Sequence, residues 1–212
     1  VDNNGKSIGL MRSKDGGFNW EESDGIGIYY DLEISRVKAG LVYGLTEKGI
    51  SMSKDGGGTW THFGASPGKV FDIALSPSKE GTLYAASMKG LLISRDGGST
   101  WKKTSEGDKP ASTVYVSDDG SVYAFIVGVG LIKAEEPTLS WTTKAADFQG
   151  RVFVRIAGLE GKPGILYAIS DTSIILYSKD DGASWESFEG HTWNTPERVE
   201  SGRKIYNKYC VK

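Results

Sequence analysis

Four loops of this 212-residue chain carry a carboxylate where chemistry is conceivable. They are Ser13-Lys-Asp15-Gly-Gly17-Phe-Asn-Trp20, Ser53-Lys-Asp55-Gly-Gly57-Gly-Thr-Trp60, Ser94-Arg-Asp96-Gly-Gly98-Ser-Thr-Trp101 and Ser178-Lys-Asp180-Asp-Gly182-Ala-Ser-Trp185. Carboxylates along a tight loop are calcium ligands, so metal binding is the first chemistry to weigh. Each loop has one well-placed carboxylate and no later Glu at EF-hand spacing, so no metal is expected. His62 and His191 lack a partner at ligand or triad spacing and read as solvated turn residues. A glycosidase needs two carboxyl groups across a cleft. With 27 acidic residues a pair can always be found on paper, so no catalytic residue is assigned. Cys210 is the one cysteine, which excludes an intrachain disulfide framework and a multi-cysteine zinc site in this stretch.

A hairpin turn accounts for every residue type in these loops. Asp15, Asp55, Asp96 and Asp180 can accept hydrogen bonds from backbone N–H groups two or three residues on, which an open turn would otherwise leave unpaired. The glycines permit positive φ without steric cost, and the Ser or Thr before Trp can add a local bond. Each Trp then anchors its hairpin, because an indole buries about 150–250 Å².

The elements that position these turns recur. Trp20, Trp60, Trp101, Trp141 and Trp185 are 40, 41, 40 and 44 residues apart, the length of one four-stranded propeller blade. At Trp141 the copy is degenerate: Ala134-Glu-Glu-Pro-Thr-Leu-Ser-Trp141 keeps Ser-Trp and loses the Ser-x-Asp-Gly head. A second element keeps the same beat, in Leu41-Val-Tyr43, Leu83-Tyr84-Ala, Val122-Tyr123-Ala and Leu166-Tyr167-Ala, and reads as the buried inner strand. A further strand precedes it, as in Val70-Phe-Asp-Ile-Ala-Leu75 and Val152-Phe-Val-Arg-Ile-Ala157. The 29 glycines and 11% aromatic residues suit many tight turns between short strands. The fold class expected is all-β, an Asp-box β-propeller of about five repeats forming an incomplete ring.

These repeats resemble the Asp-box, or bacterial neuraminidase, repeats of sialidases, some glycoside hydrolases, sortilin-type receptors and photosystem II assembly-factor-like propellers. The resemblance spans roughly residues 6–190. It implies that the boxes lie at the blade periphery, away from a central ligand-binding face, and it says little about activity. Sialidases also carry an arginine triad, a Tyr/Glu nucleophile pair and an Arg-Ile-Pro-type segment, none of which is evident here. Arg12, Arg36, Arg95, Arg151 and Arg155 are present, but two of them adjoin or sit within the boxes, where a solvent-facing strand end explains them.

Residues 1–190 are thus read as propeller repeats, 191–200 as a linker and 201–212 as the start of a different element. Ile205, Tyr206, Tyr209 and Cys210 fall on one face of a short C-terminal helix. One reading is an ordinary amphipathic helix. The other is a resemblance to the opening of a class I cytochrome c domain, carried by Gly202, Tyr206 and Cys210. That resemblance implies Cys210 as a thioether anchor for covalent haem c, provided a Cys-x-x-Cys-His is completed further on. No cofactor is expected within the segment itself.

A net charge of −2 gives no overall field for a nucleic-acid backbone, and no apolar run approaches a membrane-spanning length. Val1 is not an initiator methionine, and the first repeat enters at its third strand, so further sequence is expected at both ends. The function expected is a non-enzymatic binding or scaffold propeller, periplasmic or otherwise extracytoplasmic, with a protein partner, joined to an electron-transfer module with a redox partner. The alternative is a sialidase-like or related glycoside hydrolase whose carboxylates the sequence does not identify.

Overall fold

The computed structural model describes residues 9–25, 27–62, 67–104, 108–146 and 148–187. The linker, the C-terminal helix and Cys210 expected from the sequence lie outside the described residues. The described residues begin with a two-stranded hairpin, β1 (Met11–Arg12) and β2 (Glu21–Glu22). Four antiparallel sheets follow, each of four strands in chain order. Blade I holds β3 (Tyr29–Ile34), β4 (Val42–Thr46), β5 (Gly49–Ser53) and β6 (Thr61–His62). Blade II holds β7 (Val70–Leu75), β8 (Leu83–Ser87), β9 (Gly90–Ser94) and β10 (Lys102–Lys103). Blade III holds β11 (Ala111–Val116), β12 (Ser121–Ile126), β13 (Gly130–Glu135) and β14 (Thr142–Ala145). Blade IV holds β15 (Phe153–Leu159), β16 (Lys162–Ser170), β17 (Ile175–Ser178) and β18 (Glu186–Ser187).

The strand expected to be innermost is in fact second in each sheet. The first strands, β3, β7, β11 and β15, lie against one another around the axis. The sequence misleads here because second strands are the more apolar. Blades stack face to face, so a second strand is covered on both sides and both residue parities must be buried. Along β8, Leu83 and Ala85 join the core shared with blade I, while Tyr84 and Ala86 join the core shared with blade III. A third core forms between blades III and IV, where Phe148 packs edge to face on Phe125 and Phe153, and Trp185 edge to face on Phe153.

Backbone bonds tie each first turn to the loop between the third and fourth strands of the same blade: Gly56 N–H to Gly40 O, Gly97 to Gly81, Glu136 to Gly120 and Asp181 to Gly164, at 2.8–3.0 Å. Between blades, the second-strand tyrosine reaches the loop of the next blade. Tyr84 Oη donates to Glu136 Oε1 at 2.7 Å, and Tyr123 Oη donates to Asp181 Oδ1 at 2.5 Å. A Cβ on Gly97 would stand 3.2 Å from the Tyr43 hydroxyl.

Candidate binding site on the propeller axis

The four intact boxes share one hydrogen-bond scheme. The Ser hydroxyl donates to the Asp Oδ1 at 2.7–2.8 Å and accepts the N–H of Gly17, Gly57, Gly98 or Gly182 at 2.7–2.9 Å. The Asp receives the backbone N–H four residues on, from Asn19, Thr59, Thr100 and Ser184, and Asp55 also receives that of Gly58, three residues on as the sequence suggests. Those same residues donate a second time from their side chains. With so many donors the carboxylate form is favoured. The Asn19 N–H holds Asp15 down at about 2, the Thr100 hydroxyl does the same for Asp96 and the Ser184 hydroxyl for Asp180. Asp55, bonded first by the Thr59 N–H, is lower still. The indole N–H of Trp20, Trp60, Trp101 and Trp185 closes each turn on a glycine carbonyl at 3.0–3.1 Å. These groups are engaged within their own hairpins, and the Trp60 indole N–H is shared with the Ser23 hydroxyl at 2.8 Å. Among the described residues, no three His, Cys, Asp or Glu side chains gather to hold a metal ion.

The degenerate loop solves the turn differently. Glu136 accepts from Tyr84 and, on Oε2, from the hydroxyls of Ser76 at 2.7 Å and Ser78 at 3.3 Å, so it fastens blade III to blade II. Without a box glycine in place, the Trp141 indole N–H is buried with no acceptor among the described residues.

The side-chain types on the first strands do not repeat, yet these strands bring four residues together at one register. Each has an irregularity in its pairing near its start, between Tyr29 and Asp31, Val70 and Asp72, Ala111 and Thr113, and Phe153 and Arg155. A bulge bends a strand and re-aims the following side chain. Asp31, Asp72, Thr113 and Arg155, one per blade at the same register, meet at the axis. Arg155 Nη1 donates to Asp31 Oδ2 at 3.1 Å and to Asp72 Oδ1. Asp72 Oδ2 accepts the Thr113 hydroxyl at 2.5 Å and the Val114 N–H at 3.0 Å. Four blades are clasped by one guanidinium and one buried carboxylate.

Beside this clasp lies a cavity of about 280 Å³, walled in part by Glu33, Ala74, Val114, Tyr115 and Ile156. Among the described residues the Glu33 side chain makes no hydrogen bond or ion pair. Burial, then the charges of Asp31 and Asp72, push its carboxyl up to about 7 against the pull of Arg36 and Arg155. Burial also pushes Asp72 upward, opposed by Arg155 and the Thr113 hydroxyl. A depression of about 550 Å³ shares Arg36 and Tyr115 with the cavity, and a third of about 110 Å³ shares Tyr115, Asp118 and Gly158 with the second. Together they form one groove from the axis across the first turns of blades III and IV. A Cβ on Gly158 would stand 2.3 Å from the Tyr115 hydroxyl, so glycine there is what lets this wall form. The groove opens where first strands end, the same side as the boxes. The boxes join the third and fourth strands, away from the first strands, but share that side of the molecule with the groove.

No protein-family model matches the chain, and no curated protein does. Solved structures do. An ancestral GH74 enzyme superposes with a TM-score of 0.64 at 18% identity, over 79% of this chain and 25% of that one. YCF48 bound to D1 peptide superposes with a TM-score of 0.61 at 16% identity, over 84% of this chain and 59% of that one. The GH74 xyloglucanase from Xanthomonas campestris gives 0.56 at 15% identity, over 76% and 30%. The chain thus spans between a quarter and three-fifths of the length of these structures. At such identities they show the fold, an all-β propeller, and nothing finer.

Proposed function

We propose that this chain is a binding module that takes an extended polypeptide segment along the axial groove. The observation that carries this is the continuity of the groove from the axial cavity over Tyr115 to the turns of blade IV. In the axial cavity the Glu33 carboxyl has no hydrogen-bond partner among the described residues, so a ligand can satisfy it and otherwise pack on Tyr115 and the apolar walls. A propeller of this fold, YCF48, has been solved with a D1 peptide bound, which agrees with the reading. The test is an overlapping-peptide screen read by fluorescence anisotropy on wild-type protein, Arg36→Ala and Glu33→Gln. Tighter binding to wild type than to both variants is expected; equal binding would remove the groove from the site.

A second reading, glycoside hydrolysis, has one observation in its favour. Glu33, pushed up to about 7, is a carboxyl able to hold a proton near neutrality, as a general acid must. Its weakness is the partner. Asp31 and Asp72 are both held by Arg155, and Asp72 is further occupied by Thr113 and Val114. Release of reducing ends from xyloglucan by wild type, abolished in Glu33→Gln, would establish the hydrolase and displace the first reading.

Attachment of haem c at Cys210, export from the cytoplasm and a redox partner are proposed on the sequence resemblance alone. Coexpression of the full-length protein with haem-attachment machinery should give a covalent c-type visible spectrum, and a colourless product would end that proposal.

A further inference from the structure

Two residues beyond the clasp, on the same faces of the four first strands, stand Glu33, Ala74, Tyr115 and Ala157, opposite Tyr43, Tyr84, Tyr123 and Tyr167. Side chains two apart on a strand share a face, so this second row lies alongside the first. Its members differ in size. The alanines of blades II and IV leave the row unfilled, and Glu33, Ala74 and Tyr115 wall the axial cavity of about 280 Å³ beside them. That volume is at the lower end of the roughly 300–1,000 Å³ of small-molecule pockets, and it suits one side chain.

Five charged side chains line the cavity, and four of them are already paired. Arg155 holds Asp31 and Asp72, and Arg36 is paired with Asp118. Glu33 is the fifth. Three carboxyl groups thus stand against two guanidiniums, one of which is neutralised by an acid outside the cavity. An entering cation meets a carboxyl with no partner among the described residues, whereas an entering anion meets an excess of acid. Much of the remaining wall is apolar. Ala74, Val114 and Ile156 line it with Tyr115, whose ring is held by stacking on Tyr123 at 6.1 Å. An aliphatic stem can lie on such a wall while its charged end reaches the one polar group that lacks a partner.

Taking the groove as the polypeptide site proposed above, we infer that the axial cavity receives a basic side chain of the bound segment, its cationic end on the Glu33 carboxyl and its stem along Ala74, Val114 and Ile156. The electrostatics of the free protein agree. Burial, then Asp31 and Asp72, raise the Glu33 carboxyl against the pull of Arg36 and Arg155, and a cation bound to it draws it back toward the ordinary carboxylate range.

The experiment has two arms, both at pH 8, where the Glu33 carboxyl is ionised. In the first, the 212-residue chain is titrated with n-butylammonium, n-butanol and butyrate while the amide shifts of Ala74, Tyr115 and Ile156 are followed by NMR. The ammonium is expected to bind about tenfold or more tighter than the alcohol, butyrate not to saturate, and Glu33→Gln to erase the advantage of the ammonium. In the second, groove-binding peptides are compared as pairs differing only by Lys or Gln at one position. The lysine peptide of one such pair is expected to bind about tenfold tighter to wild type and equally to Glu33→Gln. Peptides that bind the groove without gaining from lysine at any position would overturn the inference and leave the polypeptide reading standing. Ammonium binding through Glu33 with no peptide bound would remove the polypeptide reading and make a free amine the ligand. Ammonium binding no better than the alcohol, or unchanged in Glu33→Gln, would overturn the cavity as a cation site.

Discussion

Tyr84 on blade II and Glu136 on blade III are joined by a 2.7 Å hydrogen bond from the phenol to Oε1. The tyrosine belongs to a repeated strand motif and the glutamate to the one loop that has lost its box. Tyr123 makes the equivalent bond to Asp181, which sits in positive φ where the other boxes have glycine. Tyr123 therefore shares Asp181 with Lys133 and Lys144, at 3.0 and 2.8 Å. Blades II and III are thus each locked to their successor by a tyrosine at the same register, and the acceptor differs between the two.

Replacing Tyr84 with Phe should cost about 1–2 kcal/mol, because it removes a bond to an ionised acceptor while Glu136 keeps Ser76 and Ser78. Urea unfolding of Tyr84→Phe, Glu136→Gln and the double variant gives the coupling between them. Additive costs would mean that the bond contributes nothing as a pair.

The repeat tryptophans should separate into two kinds on substitution by Phe. Trp101 loses a bond to the Gly98 carbonyl as well as ring area, whereas Trp141 loses only area and relieves a buried N–H that has no acceptor among the described residues. Trp101→Phe is expected to be more destabilising than Trp141→Phe by about 1 kcal/mol in thermal or urea unfolding. Equal losses would show that Trp141 finds an acceptor in solution.

The boxes were legible because a turn imposes its chemistry locally: Ser, Asp and Gly at fixed offsets fix which groups can bond. The four-strand repeat was legible for the same reason, through the spacing of Trp. The axial residues were not, since Asp31, Asp72, Thr113 and Arg155 share no side-chain type and act through partners on other blades. Their signal is positional. They lie 29, 29, 28 and 30 residues ahead of Trp60, Trp101, Trp141 and Trp185, so reading the repeat by column would have gathered them. The order of first and second strands was misread because burial on both faces, not nearness to the axis, makes a strand apolar.

Arg155 is the single cation in the axial clasp, and Arg155→Met leaves Asp72 almost fully buried without its counter-charge. Breaking a buried pair costs about 3–5 kcal/mol; with Arg155 itself 41% exposed, about 2–3 kcal/mol is expected. Adding Asp72→Asn should recover part of that loss, as removing the orphaned charge must if the clasp is ionic. A double variant no better than Arg155→Met would point to lost packing of the arginine stem instead.

Glu33 and the box aspartates should shape the pH dependence of stability with opposite signs. Box carboxyls are held low in the fold, so their contribution is complete above the unfolded value of about 3.9 and is lost as pH falls toward about 2. Glu33 is raised to about 7, so below about 4.3 it is protonated in both states. As pH rises from there the unfolded chain ionises first, and stability falls until the folded group also ionises near 7, then levels off. For a half-buried side chain the loss should be about 1–2 kcal/mol, smaller than the full shift implies because solvent screens it. Glu33→Gln removes this titration alone. Urea midpoints should therefore agree between wild type and Glu33→Gln at pH 4, while at pH 8 the variant should be the more stable. Parallel pH profiles would show that folding does not raise the Glu33 carboxyl, and the burial argument for its place in the groove would fall with it.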